Sequence, residues 1–223
     1  MQNSLSKIVV TVVFMLAIGN ALLFAADHAA PSMAPEAALA KLQVGNEHFV
    51  TEANSPAKPT RARRLETAKS QHPFAIVVGC SDSRTPPELI FDQNIGDLFV
   101  VRTAGQVVGD YELGSIEYAV EHLGARLIIV MGHARCGAVQ AAIAGETAPG
   151  HVGAIVRKIR PSVLAVSKEA GGPLVNAIKS NVHHVAGEIR QEAKLGSLAS
   201  EVRVVEAYYD FDTGKVEWLD KGR

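Results

Sequence analysis

The chain has 223 residues, 48% of them apolar, with 22 lysines and arginines against 23 aspartates and glutamates. That apolar content excludes a disordered polymer, and a formal net charge of −1 excludes both the basic surplus of a nucleic-acid binder and the acidic run of a solvating tail. Once roughly the first 35 residues are set apart, the remainder has the length of one domain with a real core.

Residues 1–26 read as a targeting segment. Lys7 gives a weakly positive start, Ile8 to Ala26 is apolar except for Thr11 and Asn20, and small residues follow. This is the pattern of a secretory signal peptide, although the run also approaches the minimum length of a membrane span, so a retained anchor is the alternative. No cysteine follows the run, so lipidation there is excluded. The expectation is export, to a periplasm or beyond, with no membrane contact for the mature domain unless the segment is retained. Residues 27–35 form an Ala/Pro linker, and 36–223 form the domain.

Glu36 to Val50 carries Leu39, Leu42 and Phe49 on a helical period, with Gly45 as a weak point. Residues 51–60 hold two prolines and read as a loop, and Arg61 to Ser70 as a short exposed helix. From Phe74 the pattern alternates. "FAIVVG" and "LFVVRTAG" (98–105) are short apolar runs suited to buried parallel strands. "GSIEYAVEHLG" (114–124) is helical, with Ile116, Ala119, Val120 and Leu123 on one face. "RLIIVMGH" (126–133) is a third strand, Gly137 to Gly145 opens a helix, and helical patterns return at 154–166 and 176–194. "EVRVVEAYYDFDTGKVEWL" (201–219) is a strand, a turn at 212–214 and a return strand. The prediction is an α/β fold: a central, mostly parallel sheet with an antiparallel C-terminal edge, flanked by helices.

In such sheets chemistry collects at the carboxyl ends of strands. Cys80 lies just past one strand end, and His133 and Cys136 just past another. Two sulfurs and an imidazole suit zinc, and three protein ligands with an open fourth position mark a catalytic site. Asp82, two residues from Cys80, is a further candidate donor. In an oxidising compartment Cys80 and Cys136 are also candidates for a disulfide. A disulfide, however, explains neither His133 nor the acid and guanidinium of Asp82 and Arg84.

The motifs "CSDSR" (80–84) and "GHARCGA" (132–138) together resemble the β-class carbonic anhydrases. The resemblance runs from "ALAKLQVGNEHFV" through "HPFAIVVGCSDSR", "DLFVVRTAG" and "GSIEYAVEHLGARLIIVMGHARCGA" to "YYDFDTGKVEWL". It implies one Zn²⁺ per chain held by Cys80, His133 and Cys136, and reversible hydration of CO₂ to bicarbonate and a proton by attack of zinc-bound hydroxide. It also implies Asp82 and Arg84 as a catalytic dyad in which Asp82 ligates the metal only in a closed state. Substrate-binding positions carried over by the motifs are Gln71, Phe99, Ala104, Tyr118 and Gly137, some of them serving a neighbouring subunit. A homodimer or homotetramer is implied, with the helix at 36–50 wrapping a partner.

Two departures stand out. Position 134 is Ala where many relatives carry Ser or Thr, which touches the hydrogen bonding behind a ligand. Position 77 is Val where the bicarbonate-inhibited subset carries Trp, which argues against that inhibitory pocket here. Two thiolates cancel the charge of Zn²⁺, so water there is expected to ionise less readily than beside three neutral ligands, and activity to rise towards alkaline pH. The alternatives are a hydrolase of carbonyl sulfide or carbon disulfide on the same site, and a non-catalytic zinc- or disulfide-stabilised binding domain. His72, His122, His151, His183 and His184 have no ligand-like partners in the sequence.

Overall fold

The structure is a computed structural model that describes residues 29–53, 60–145 and 148–219. The targeting segment expected over 1–26 lies outside the described residues. Among them, no helix is long and apolar enough to cross a membrane.

Strands β1 (Ala75–Cys80), β2 (Leu98–Thr103), β3 (Leu127–His133) and β4 (Arg203–Tyr209) are parallel, and β5 (Val216–Trp218) returns antiparallel on β4. The sheet order is β2-β1-β3-β4-β5. Seven α-helices accompany it among the described residues: α1 (Pro35–Thr51), α2 (Arg61–Glu66), α3 (Pro87–Ile90), α4 (Asp110–Leu123), α5 (Gly137–Ala144), α6 (Val152–Ala165) and α7 (Pro173–Glu192).

β1 and β3 are buried along their whole length. Their side chains alternate between two cores, as the period of a strand requires. Ile76, Val78, Ile128 and Val130 pack with Ile116 and Val120 of α4 and Val182, Val185 and Ile189 of α7. Ala75, Val77, Leu127, Ile129 and Met131 pack with Ala38 and Leu42 of α1 and with Ile90 and Phe91. Val77 is therefore a core residue at the position where the resemblance places Trp in some relatives.

α1, the helix expected to wrap a partner, buries Ala38 and Leu42 on its own sheet and leaves Val44 and Phe49 exposed. Two expectations change. Gly45 does not weaken α1. It lets the helix approach the Phe91 turn, because a Cβ there would lie 1.8 Å from the Phe91 carbonyl oxygen. The helix expected to start at Gly114 starts at Asp110, since Glu112 reaches back to accept the Gly109 N–H at 3.0 Å. Position 114 reads as a boundary only because glycine is a poor helix former.

Asn46, buried on α1, ties that helix to the β4–β5 turn. Its Nδ2 donates to the carbonyls of Ile90 (3.1 Å) and Gly214 (3.0 Å), and its Oδ1 accepts the Val216 N–H at 2.8 Å.

Candidate metal centre

From β1 the chain passes to β2 on one side and later to β3 on the other. The β1–β3 boundary is thus the topological switch point, where parallel sheets leave a crevice beyond their carboxyl ends. Cys80 ends β1 and His133 ends β3, while Cys136 precedes the first residue of α5. The ligand atoms of these three residues lie within 4.8 Å of one another, and among the described residues they are the one group of three or more His, Cys, Asp or Glu donors so placed. All three are buried, and both cysteines are free thiols. The disulfide is therefore not formed, and His72, His122, His151, His183 and His184 join no such group.

Each ligand is oriented by backbone. His133 Nδ1 donates to the Ala134 carbonyl at 2.9 Å, which leaves the lone pair on Nε2. That Nε2 is buried and has no hydrogen-bond partner. Ala134 in turn donates its N–H to the Tyr209 carbonyl at 2.9 Å. The missing hydroxyl at position 134 therefore leaves the bond that orients the imidazole intact, because the backbone makes it. Cys80 Sγ accepts the Gly105 N–H at 3.2 Å.

The two sulfurs are strongly coupled. The Cys136 hydrogen bond, outweighing burial and aided by His133 and the Gly105 N–H, lowers the Cys80 thiol from 9.0 to about 4. The same bond, with burial, pushes the Cys136 thiol up. Burial and the nearness of the two sulfurs thus oppose ionising both at once. A divalent cation removes that conflict by letting both ionise. A lone pair without a partner, beside two sulfurs that resist ionising together, fits Zn²⁺.

Asp82 and Arg84 form the expected pair. Arg84 Nε donates to Oδ1 at 2.9 Å, Nη2 to Oδ2 at 2.7 Å, and the Arg84 backbone N–H to Oδ1 at 3.0 Å. The side-chain hydrogen bond from Arg84 holds the Asp82 carboxyl well below the usual carboxylate range, outweighing the opposing effect of burial. Asp82 Oδ2 lies 4.0 Å from His133 Nε2, so the carboxylate borders the metal position while remaining engaged with Arg84.

The proposed substrate-binding residues divide into two groups. Ala104 opens the single turn of 3₁₀ helix after β2 (Ala104–Gln106), next to the N–H that Cys80 accepts. Gly137 is the first residue of α5 and exposed, and a Cβ there would meet nothing within 4 Å. These two border the site. Gln71, Phe99 and Tyr118 do not: Phe99 is in register with Ile76, four residues before Cys80, which is about 13 Å along a strand. Phe99 and Tyr118 pack on each other at 6.4 Å, with Tyr118 and Gln71 exposed. Within one chain these three form no part of the metal centre.

Three residues beside the site escaped the sequence reading. Arg102, in register with Gly79, donates from Nε to the Cys80 carbonyl at 2.8 Å and from Nη2 to the Asp82 carbonyl. Buried Thr85 donates to the same two carbonyls, at 3.2 and 2.9 Å. An arginine inside an apolar strand was a usable signal for the first. Phe211, from the β4–β5 turn, packs against the core around Cys80 and Cys136, and nothing local in the sequence marks it.

The profile of the protein family described as "Carbonic anhydrase" matches residues 75–216. A carbonic anhydrase of Mycolicibacterium smegmatis is 39% identical over 197 residues, covering 84% of this chain and 94% of its own. Carbonic anhydrase 2 of Mycobacterium tuberculosis is 39% identical over 203 residues, covering 85% and 95%. A tetrameric β-carbonic anhydrase of Sordaria macrospora shares the fold at a TM-score of 0.68 and 22% identity, over 84% of this chain and 98% of that one. On the match to the profile and on relatives this similar over nearly their whole length, the chain belongs to the β-carbonic anhydrase family.

Proposed function

We propose that this enzyme hydrates CO₂ reversibly to bicarbonate and a proton on one zinc ion held by Cys80, His133 and Cys136. The observation that carries the reading is the placement of Asp82: locked in the Arg84 fork, yet 4.0 Å from the unpartnered Nε2 of His133. A zinc ion held by these three residues would act as a Lewis acid and lower the pKa of water, by less than beside three neutral ligands because two thiolates cancel its charge.

The chain's own residues do the rest. Asp82 is ionised and acceptor-only, so it takes a hydrogen bond from the attacking water and aims the oxygen's remaining lone pair at the substrate carbon. Arg84 keeps that carboxylate charged and away from the metal, since its planar fork occupies both oxygens. Arg102 and Thr85 fix the loop that carries Cys80 and Asp82 by holding its carbonyls. Ala104 offers an apolar wall to CO₂, and the Gly137 N–H at the start of α5 offers a donor to the anionic product.

Assembly completes the pocket in this reading. Phe99 lies on β2, an edge strand of the sheet, and packs on the exposed Tyr118. That surface, with Gln71, serves the site of a second copy across a dimer, and the homo-oligomer is a dimer or, as in the tetrameric relative, a tetramer. Export to the periplasm is supported by the charge and apolar pattern of residues 1–26.

Stopped-flow CO₂ hydration on the zinc-loaded protein, with Cys136→Ser alongside, tests the reaction. Turnover by the wild type and its loss in the variant are expected. Equal rates for the two proteins would refute it.

A further inference from the structure

Arg84 is exposed, and its pair with Asp82 sits at the rim of the site. A long exposed side chain gains little net free energy from one carboxylate, because ordering the side chain offsets the attraction. Yet Asp82 is in place for catalysis only while that fork holds it. The structure shows what supports the fork: the Arg84 guanidinium lies over the ring of Phe211, its carbon 4.2 Å from the ring centroid. The same ring packs 5.2 Å from the imidazole of His133 and edge-on to Tyr209 at 5.5 Å. One aromatic side chain therefore touches a metal ligand and the arginine of the dyad together.

Phe211 is itself firmly held. Its neighbour Asp210 accepts from the N–H groups of Asp212 (3.1 Å) and Thr213 (2.9 Å) and from the Thr213 hydroxyl (2.9 Å), which closes the turn on itself. Asp212 takes both arms of Arg135 at 2.8 and 3.0 Å, joining the turn to the loop between His133 and Cys136. Asn46 of α1 holds the far side of the turn through Gly214 and Val216.

We propose that Phe211 is a positioning residue: its ring, braced by Asn46 and by the Arg135–Asp212 pair, keeps Arg84 engaged on Asp82 and thereby keeps Asp82 aimed. The proposal rests on the carbonic anhydrase reading for its catalytic consequence, but the Arg84–Asp82 pair can be observed without it. A guanidinium over an exposed ring shifts a population by about two- to five-fold.

The test compares Phe211→Leu, which keeps apolar bulk, with Phe211→Tyr, which keeps the ring, in the zinc-loaded protein. Solvent exchange of the Arg84 Nε–H is followed by NMR, with the Arg63 Nε–H, bonded to the Ile95 carbonyl at 2.9 Å, as an internal reference. Phe211→Leu is expected to speed Arg84 exchange by about two- to five-fold and to lower kcat by a similar factor with KM little changed. Phe211→Tyr is expected to restore both, with zinc content and Arg63 exchange as in the wild type. Unchanged Arg84 exchange in Phe211→Leu overturns the proposal. So does a general loosening, in which Arg63 exchange rises and zinc is lost as well, because the ring would then be ordinary core. The Arg84 signal reads the pair whether or not the chain hydrates CO₂, so failure of the activity leaves this result standing.

Discussion

His133 Nδ1 lies 2.9 Å from the carbonyl oxygen of Ala134, its own neighbour in the chain. A carbonyl can only accept, so this bond places the proton on Nδ1 and the free lone pair on Nε2, towards the two sulfurs. Nitrogen-15 NMR of the zinc-loaded protein should show His133 with a protonated Nδ1 and with Nε2 as the metal-bound nitrogen. A pyridine-type Nδ1 would contradict the orientation.

The coupled sulfurs make a distinct prediction for the protein stripped of metal. With burial and the nearness of the two sulfurs opposing a second charge, the two should not both be ionised in the neutral range. Thiolate absorbance in the far ultraviolet should report fewer than two equivalents there. Zinc should ionise what remains protonated and release protons as it binds. Two thiolates in the metal-free protein at neutral pH would contradict the coupling.

Asp82→Asn removes the charge that Arg84 holds and turns half of an acceptor pair into a donor. Its kcat should fall by about 100-fold or more, with zinc content unchanged because Asp82 is no ligand while paired. Arg84→Lys keeps the charge but loses the fork, and should fall between the two. The sign of the pH effect follows from the depressed Asp82 pKa. Pairing with Arg84 favours the folded state above the ordinary carboxylate range and is lost only as the pH drops through the lowered value. The Asp82 carboxyl carbon should therefore titrate below the ordinary carboxylate range. A midpoint at the ordinary value would show that the pair is broken in solution.

Much of this was legible in the sequence, and the reasons differ by element. β1 and β3 were readable because strands buried on both faces need continuous apolar runs, and Cys80, Asp82, Arg84, His133 and Cys136 were readable because they break those runs at their ends. The edges of the helices were less so. Glycine at 114 mimics a boundary, and the cap that matters is the side chain of Glu112, two positions earlier, which accepts the Gly109 N–H. The packing of α1 on its own sheet was not legible, since an amphipathic helix fits its own core or a partner's equally well. Phe211 was invisible for a related reason: its contacts with His133 and Arg84 join residues far apart in the chain, and a phenylalanine in a turn carries no local mark of them.

Asn46 gives the stability prediction. Removing its amide leaves the Ile90 and Gly214 carbonyls and the Val216 N–H without that partner. Asn46→Ala should therefore cost about 2–4 kcal/mol in urea unfolding, since each buried group left unpaired costs on the order of 1–3 kcal/mol and part is recovered by water. A loss below about 0.5 kcal/mol, the level of an ordinary surface change, would show that the α1–turn clamp is unimportant.

The proposed chemistry depends on Cys80, His133 and Cys136 binding one metal ion together. X-ray absorption at the zinc edge of the purified chain tests it most directly. One zinc per chain is expected, with two sulfurs at about 2.3 Å and two nitrogen or oxygen neighbours at about 2.0 Å, and one sulfur fewer in Cys136→Ser. A first shell of light atoms alone, or a protein that takes up no stoichiometric zinc, would contradict it.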